Sequence, residues 1–274
     1  GIPAVAPFVD AQGVHSIAWA DDDDDNDAED HDDDDDDDDD VRAELIISGL
    51  TPQGVNVLTQ RGFRVTQVTQ SGLLAEGLSR VLAPQGLGPM AALREVSRLV
   101  PDAIGARNDL FLRSPVGTYY PQGEPCGESC KPFTLTNWTS RFLTCALTTP
   151  IGVVDTGIDL SHPAFTGADI EIETVRRTDR RPSDRTHGTG VVSLLVGQPG
   201  SRVVGIAPRA KVIAIDAFHR VGRTDAADAF DLITALDALA GRGVRVINLS
   251  LSGPDNALLQ RAVARLADRG TMIV

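Results

Sequence analysis

No window of this 274-residue chain holds eighteen consecutive apolar residues, so no segment reads as a helix able to cross a bilayer. Cysteine is scarce. The three are Cys126, Cys130 and Cys145, and the Cys126-to-Cys130 spacing has neither a companion ligand pair nor a histidine close by, which argues against zinc. Basic residues form no stripe of the kind that grips a duplex, so nucleic acid is not an expected partner. The acidic excess is local rather than general. Residues 21–40 hold 16 Asp and one Glu, and removing these from the 39 acidic residues leaves 22 against 25 Lys and Arg. The net charge of −14 therefore belongs to one tract, and the rest of the chain is nearly balanced.

What remains has the composition of a folded protein, 42% hydrophobic and 23% charged. The first residue is Gly1 and the last, Val274, lies inside an apolar run, so the chain is expected to be truncated at both ends. Residues 1–20 end in Ala18-Trp19-Ala20, the small-residue spacing of a signal-peptidase site. Asp10 and the absence of a charged leader leave an ordinary flexible N-terminus as the alternative. The acidic tract, residues 21–41, repels itself and offers nothing to bury, and is expected to be a disordered, solvated spacer.

Residues 42–115 alternate strand and helix signals. Val41 to Ile47 suits a strand, Thr51-Pro52 starts a helix that Gly62 stops, and Phe63 to Thr69 and Leu74 to Leu82 suit two more strands. Pro89 opens a helix carrying Leu93, Val96 and Leu99 that Pro101 closes, and Asp109 to Leu112 is read as the last strand. The resulting βαββαβ order is that of a small α+β ferredoxin-like domain. Residues 116–146 are rich in Pro, Gly, Thr and Ser and read as a connector holding all three cysteines, two of which would form a disulfide if the chain is exported. Asn137-Trp138-Thr139 fits a glycosylation sequon.

From residue 147 to 274 the pattern becomes repeated strand and helix units with short loops, the mark of an open α/β domain with a parallel sheet. Strands are expected at Ile151–Val154, Val203–Ile206, Val212–Ile215, Val244–Leu249 and Thr271–Val274. A helix capped by Thr224 carries Phe230, Ile233, Leu236 and Ala240, and a second carries Leu259, Val263 and Leu266. In such sheets ligands bind beyond the carboxyl ends of the strands. Asp155 stands at one such end, before Thr156-Gly157, and His187 opens His187-Gly188-Thr189-Gly190 at the start of an apolar helix. A carboxylate that accepts the Nδ1 proton of an imidazole holds its tautomer and stabilises the cation formed when Nε2 takes a proton from a nucleophile.

These residues resemble the subtilisin-like serine peptidases, whose catalytic order along the chain is Asp, His, Ser. Val153-Val154-Asp155-Thr156-Gly157-Ile158 with Ser161-His162-Pro163 is similar to the family's aspartate motif, and His187-Gly188-Thr189-Gly190 to its histidine motif. Val204-Gly205-Ile206-Ala207-Pro208 and Val246-Ile247-Asn248-Leu249-Ser250-Leu251-Ser252-Gly253-Pro254 are similar to the turn and the substrate-binding strand that follow. The resemblance implies a secreted, periplasmic or cell-surface endopeptidase in which Asp155 orients His187, and His187 acts as general base and then acid. It implies that Ser250, Leu251, Ser252 and Gly253 form one wall of the cleft, with a free edge for a peptide or protein substrate. It also implies that residues 42–115 are an inhibitory prodomain, cut somewhere between Ser114 and Leu135.

No Gly-Thr-Ser motif occurs in the chain, and Ser193, Ser250 and Ser252 lie in the wrong motifs to replace it. The nucleophile and the oxyanion-hole Asn are expected past Val274, and residues 1–274 alone are expected to be inactive. No cofactor is expected. Gly197–Arg202 is short of the acidic and amide side chains a calcium loop would use, so the calcium dependence of many relatives is not carried over. His162 and His219 are given no catalytic part. Two alternatives stand beside this reading: a non-catalytic relative that binds peptide in the same groove, and an aspartic peptidase using Asp155, which would need a second Asp-Thr-Gly that the chain does not contain.

Overall fold

A computed structural model describes residues 42–113 and 149–274. The expectations for the leader, the acidic tract, the cysteines and the sequon fall outside those residues.

The N-terminal part runs β1 (Glu44–Ser48), α1 (Pro52–Gln60), β2 (Arg64–Ser71), β3 (Glu76–Leu82), α2 (Pro89–Leu99) and β4 (Ile104–Arg107). Local chemistry sets the helix starts. Thr51 Oγ1 accepts from the Gly54 N–H at 3.1 Å and Pro52 supplies a preset φ, while Pro89 does the same for α2. The four strands are antiparallel in the order β2-β3-β1-β4, the ferredoxin-like arrangement. Leu45, Ile47 and Val81 face the helices and pack on Leu58, Ala92 and Val96.

One expectation is corrected here. The last strand of this sheet is Ile104–Arg107, because only that run pairs with β1. The neighbouring strand β5 (Leu110–Arg113) turns away after Asn108-Asp109 and joins a different sheet.

The second part continues with β6 (Ile151–Asp155), β7 (Ile170–Thr174), α3 (Thr186–Val196), β8 (Val212–Asp216), β9 (His219–Val221), β10 (Thr224–Asp228), α4 (Ala229–Gly241), β11 (Val246–Leu249), β12 (Leu251–Ser252), α5 (Ala257–Asp268) and β13 (Met272–Ile273). Five strands form a parallel sheet in the order β13-β11-β6-β8-β7. Its strands β6 and β8 are buried on both faces. Val153, Val212 and Ala214 pack with α3, while Val154, Ile213 and Ile215 pack with α4 and α5. Two further expectations change. Val203–Ile206 is not a strand; Ile206 and Ala207 donate their N–H groups to the last carbonyls of α3, Leu194 O and Leu195 O, and Gly205 donates to O of its cap residue Gly197. Thr224 does not cap a helix but opens β10, and the cap of α4 is Asp228, which accepts from the Asp231 N–H at 3.0 Å.

The free face of the N-terminal sheet lies on α4 and α5, burying Ile46, Leu73, Leu74 and Leu78 with Phe230, Ile233 and Leu236. Arg80 sits in the middle of this contact, only 1% exposed. Its five N–H donors all find acceptors: Nε on Gln67, Nη1 on Glu44 (2.5 Å) and Asp228 (2.6 Å), Nη2 on Asp228 (3.1 Å) and Asp231 (2.8 Å). The guanidinium also lies 4.5 Å from the centre of the Phe230 ring. Asn108 Oδ1 accepts from the Phe230 N–H at 3.0 Å, and Asn256, the cap of α5, donates to Arg107 O at 2.8 Å. The two parts thus share helix caps as well as apolar area.

Removing Arg80 would leave three carboxylates facing one another in a closed space. Arg80→Ala is expected to cost about 3–5 kcal/mol in urea unfolding, and a loss below about 1 kcal/mol would show that the contact does not depend on it. The same cluster gives a pH signature. Burial, and then the charge of Asp228, pushes the Asp231 carboxyl from the ordinary 3.8 up to about 7, against the pull of Arg80. The folded state therefore holds this proton more tightly than the unfolded chain. Its contribution is complete below about pH 3.8 and is lost as pH rises toward 7. Urea midpoints measured at pH 5 and pH 8 should differ less in Asp231→Asn than in the wild type.

Candidate active site

Strand β6 delivers Asp155 to the carboxyl end of the parallel sheet, and the N-terminus of α3 brings His187 against it. The Asp155 Oδ1 to His187 Nδ1 distance is 2.6 Å, with the two residues 2% and 5% exposed. An ionised carboxylate only accepts, so Nδ1 carries the proton and the carboxylate fixes the ring's tautomer. The Thr156 N–H donates to the same Oδ1 at 2.7 Å, aiming the carboxylate.

The approach of helix to strand end is held by a lattice of short polar contacts. The Gly188 N–H donates to Thr156 Oγ1 (2.9 Å), the Asp159 N–H to Thr189 Oγ1 (2.9 Å) and the Gly157 N–H to Ser183 Oγ (3.0 Å). Gly188 is obligatory at this crossing. A Cβ there would stand 2.5 Å from Thr156 O and 2.7 Å from Gly157 O. Behind the pair, Asp216 ends β8 directly beside Asp155, with Ser183 Oγ at 3.4 Å and Arg176 Nε at 3.5 Å. Burial pushes the Asp216 carboxyl up while Arg176 opposes the shift.

The segment expected to form a substrate wall includes a strand, but its edge is not free. Leu251 and Ser252 form β12, and β5 pairs with them antiparallel, Arg113 opposite Leu251 and Leu112 opposite Ser252. On its other side β5 pairs with β10, so Leu110–Arg113 is an inner strand of the order β12-β5-β10-β9. Phe111, 4% exposed, packs over Gly253, where a Cβ would fall 2.3 Å from the ring. Ser250 Oγ exchanges hydrogen bonds with the Asn248 side chain (2.9 and 3.1 Å), and Ser193 Oγ donates to Gly190 O. The amide of Gln198, in the segment weighed for calcium, donates to Val196 O and Pro208 O.

The other histidines are elsewhere. His162 caps the short helical turn Pro163–Phe165 through Nδ1. His219 is buried on β9, and that burial pushes its imidazole below the usual range. The sequence did not single out Ser183, Phe111 or Asp225. Asp225 is 1% exposed on β10, where its Oδ1 accepts from Arg220 Nη1 (3.0 Å) and the Asp184 N–H (3.1 Å).

A carboxylate and an imidazole thus meet at the carboxyl end of a parallel sheet, beside an edge that has taken up an extended segment. Residues 148–274 match the Subtilase family, Peptidase_S8, and this part of the chain is subtilisin-like in sequence. It is 33% identical over 129 residues to the thermophilic serine proteinase of Bacillus sp. strain AK1, covering 45% of this chain and 31% of that protein. It is 32% identical over 129 residues to a subtilisin-like protease of Coccidioides posadasii, covering 44% and 32%. The chain spans about a third of the length of these curated relatives. The crystal structure of fervidolysin from Fervidobacterium pennivorans, a keratinolytic enzyme related to subtilisin, matches with a TM-score of 0.57 at 15% identity, over 85% of this chain and 39% of that one. That coverage exceeds the family segment, so the likeness of fold extends into the N-terminal part.

Gly188→Ala is expected to force α3 away from the Thr156–Gly157 turn. It should destabilise the chain by about 1–3 kcal/mol in urea unfolding, whereas Gly190→Ala, with open space at its Cβ, should change stability little.

Proposed function

We propose that this chain belongs to a subtilisin-type serine endopeptidase, made as a precursor with residues 42–115 as its inhibitory prodomain. The observation that carries the reading is the 2.6 Å hydrogen bond between Asp155 and His187 at the sheet's carboxyl end. In this scheme Asp155 holds the imidazole with Nδ1 protonated. His187 Nε2 takes the proton of a serine hydroxyl supplied C-terminal to Val274 as that oxygen attacks the peptide carbonyl, then returns it to the leaving amine. Asp155 stays ionised throughout and offsets the charge of the imidazolium. No cofactor is invoked.

Substrate would lie where β5 now lies, hydrogen-bonded through its backbone to Leu251–Ser252 and read by side chain through the floor at Gly253. The seating of Leu110–Arg113 supports the prodomain assignment, because a strand already paired on both sides leaves no edge for another peptide. No helix among the described residues is long and apolar enough to cross a membrane. We place the enzyme outside the cytoplasm, secreted, periplasmic or on the cell surface, with one disulfide drawn from Cys126, Cys130 and Cys145.

The test is chemical labelling. In the full-length protein a serine-directed phosphonate should label the wild type and fail to label His187→Ala, and residues 1–274 alone should take no label. Asp155→Asn should lower kcat on the order of 10⁴-fold through the wrong tautomer. Persistent labelling of His187→Ala would remove the histidine from the mechanism, and inhibition by pepstatin would favour an aspartic peptidase instead. Peptide binding without any labelling would mark a non-catalytic relative.

A further inference from the structure

Strand β5 alternates in the manner of a strand with one face on a protein. Leu110 and Leu112 are 45% and 47% exposed, whereas Phe111 and Arg113 turn inward. Beneath Arg113 lies Asp225, on the strand that forms the other wall of the seat. Asp225 Oδ1 is occupied by Arg220 and the Asp184 N–H, while Oδ2 is buried with no hydrogen-bond partner among the described residues. The cation facing that oxygen is Arg113, its Nε 3.6 Å away.

A carboxylate taken out of water and left half-satisfied is costly, and a cation brought by the seated peptide offsets that cost. The charges count the same way. Asp184 lies next to Asp225; its carboxyl is held below the ordinary range first by hydrogen bonds from Thr186, with Arg220 and Arg113 adding to the effect. Asp225 thus meets two guanidiniums, that of Arg220 belonging to the groove and that of Arg113 to the strand within it. A strand with a neutral residue at this place leaves Arg220 alone against Asp225, and an acidic residue adds a second carboxylate.

We propose that Asp225 is a specificity determinant that selects an arginine, or more weakly a lysine, at the substrate position opposite Leu251. The preferred substrates are then extended peptides carrying a basic side chain there, with an apolar or aromatic residue two positions earlier over Gly253. The inference rests on the reading of β5 as a substrate-like strand.

Two measurements separate the failure of one from the failure of the other. In residues 1–274, hydrogen exchange of the Leu112 and Arg113 amides should rise about tenfold in Arg113→Gln, recover in part in Arg113→Lys, and show no further rise when Arg113→Gln is added to Asp225→Asn. In the full-length enzyme, kcat/KM for a peptide with arginine at this position should exceed that for its glutamine counterpart by about tenfold, and in Asp225→Asn the ratio of the two should fall to about one.

Unprotected β5 amides in the wild type would overturn the substrate-like seat and this inference with it. Protected amides that rise in Phe111→Ala but not in Arg113→Gln, or equal rates on the two peptides, would leave the seat standing and overturn the role of Asp225.

Discussion

A hydrogen bond between Asp155 and His187 requires a helix terminus to touch the end of a strand, and most of the local sequence serves that contact. Carboxylate and imidazole come from different layers of the fold, 32 positions apart in the chain. Short side chains span the gap: Thr156 and Thr189 each accept a backbone N–H from the opposite segment, and Gly188 permits the main chains to close. Charge follows geometry. Asp216 sits directly beside Asp155 on the next strand, and Arg176 and Ser183 occupy its oxygens. Two acidic side chains at adjacent strand ends are thereby given separate partners, and only Asp155 faces the histidine.

The contact between the two parts of the chain uses the opposite strategy, a single cation with three acids around it. A planar guanidinium with five donors is the side chain suited to this, since lysine's three donors could not reach Gln67, Glu44, Asp228 and Asp231 together. Because Asp228 also caps α4, the residue that binds Arg80 is the residue that starts the helix. Docking and helix capping are one arrangement, so the parallel-sheet part is organised at that place by a strand of the ferredoxin-like sheet.

Much of this was legible in the sequence, for physical reasons. Pro52, Gly62, Pro89 and Pro101 punctuate the N-terminal elements, and the buried strands of the parallel sheet read as continuous apolar runs. Asp155 and His187 stood out because their motifs encode backbone requirements as well as chemistry. What escaped was decided by pairing across long distances. Ile104–Arg107 and Leu110–Arg113 are two short strands within ten residues, and nothing local says that they enter different sheets. Thr224–Asp228, Thr-Asp-Ala-Ala-Asp, has little strand propensity and is extended because β5 and β9 flank it. Asp225 was invisible for the same cause, since a carboxylate acquires its meaning only when the strand bearing it is known to line a groove. Val203–Ile206 shows the converse error, an apolar run whose amides close a helix rather than a ladder.

Only Asn108 and Asp109 separate β4 from β5, so the strand in the groove hangs on a two-residue leash from a sheet that is itself docked on α4 and α5. Under the proposed function an incoming peptide would compete with a strand whose local concentration is set by that leash, in the millimolar range or above for short tethers, whatever its own affinity. Loosening the four residues of β5 alone would leave them tethered beside β12 and β10. On the reading proposed above, lasting release of β5 would require the whole N-terminal body to leave, and the contact that holds this body is centred on Arg80.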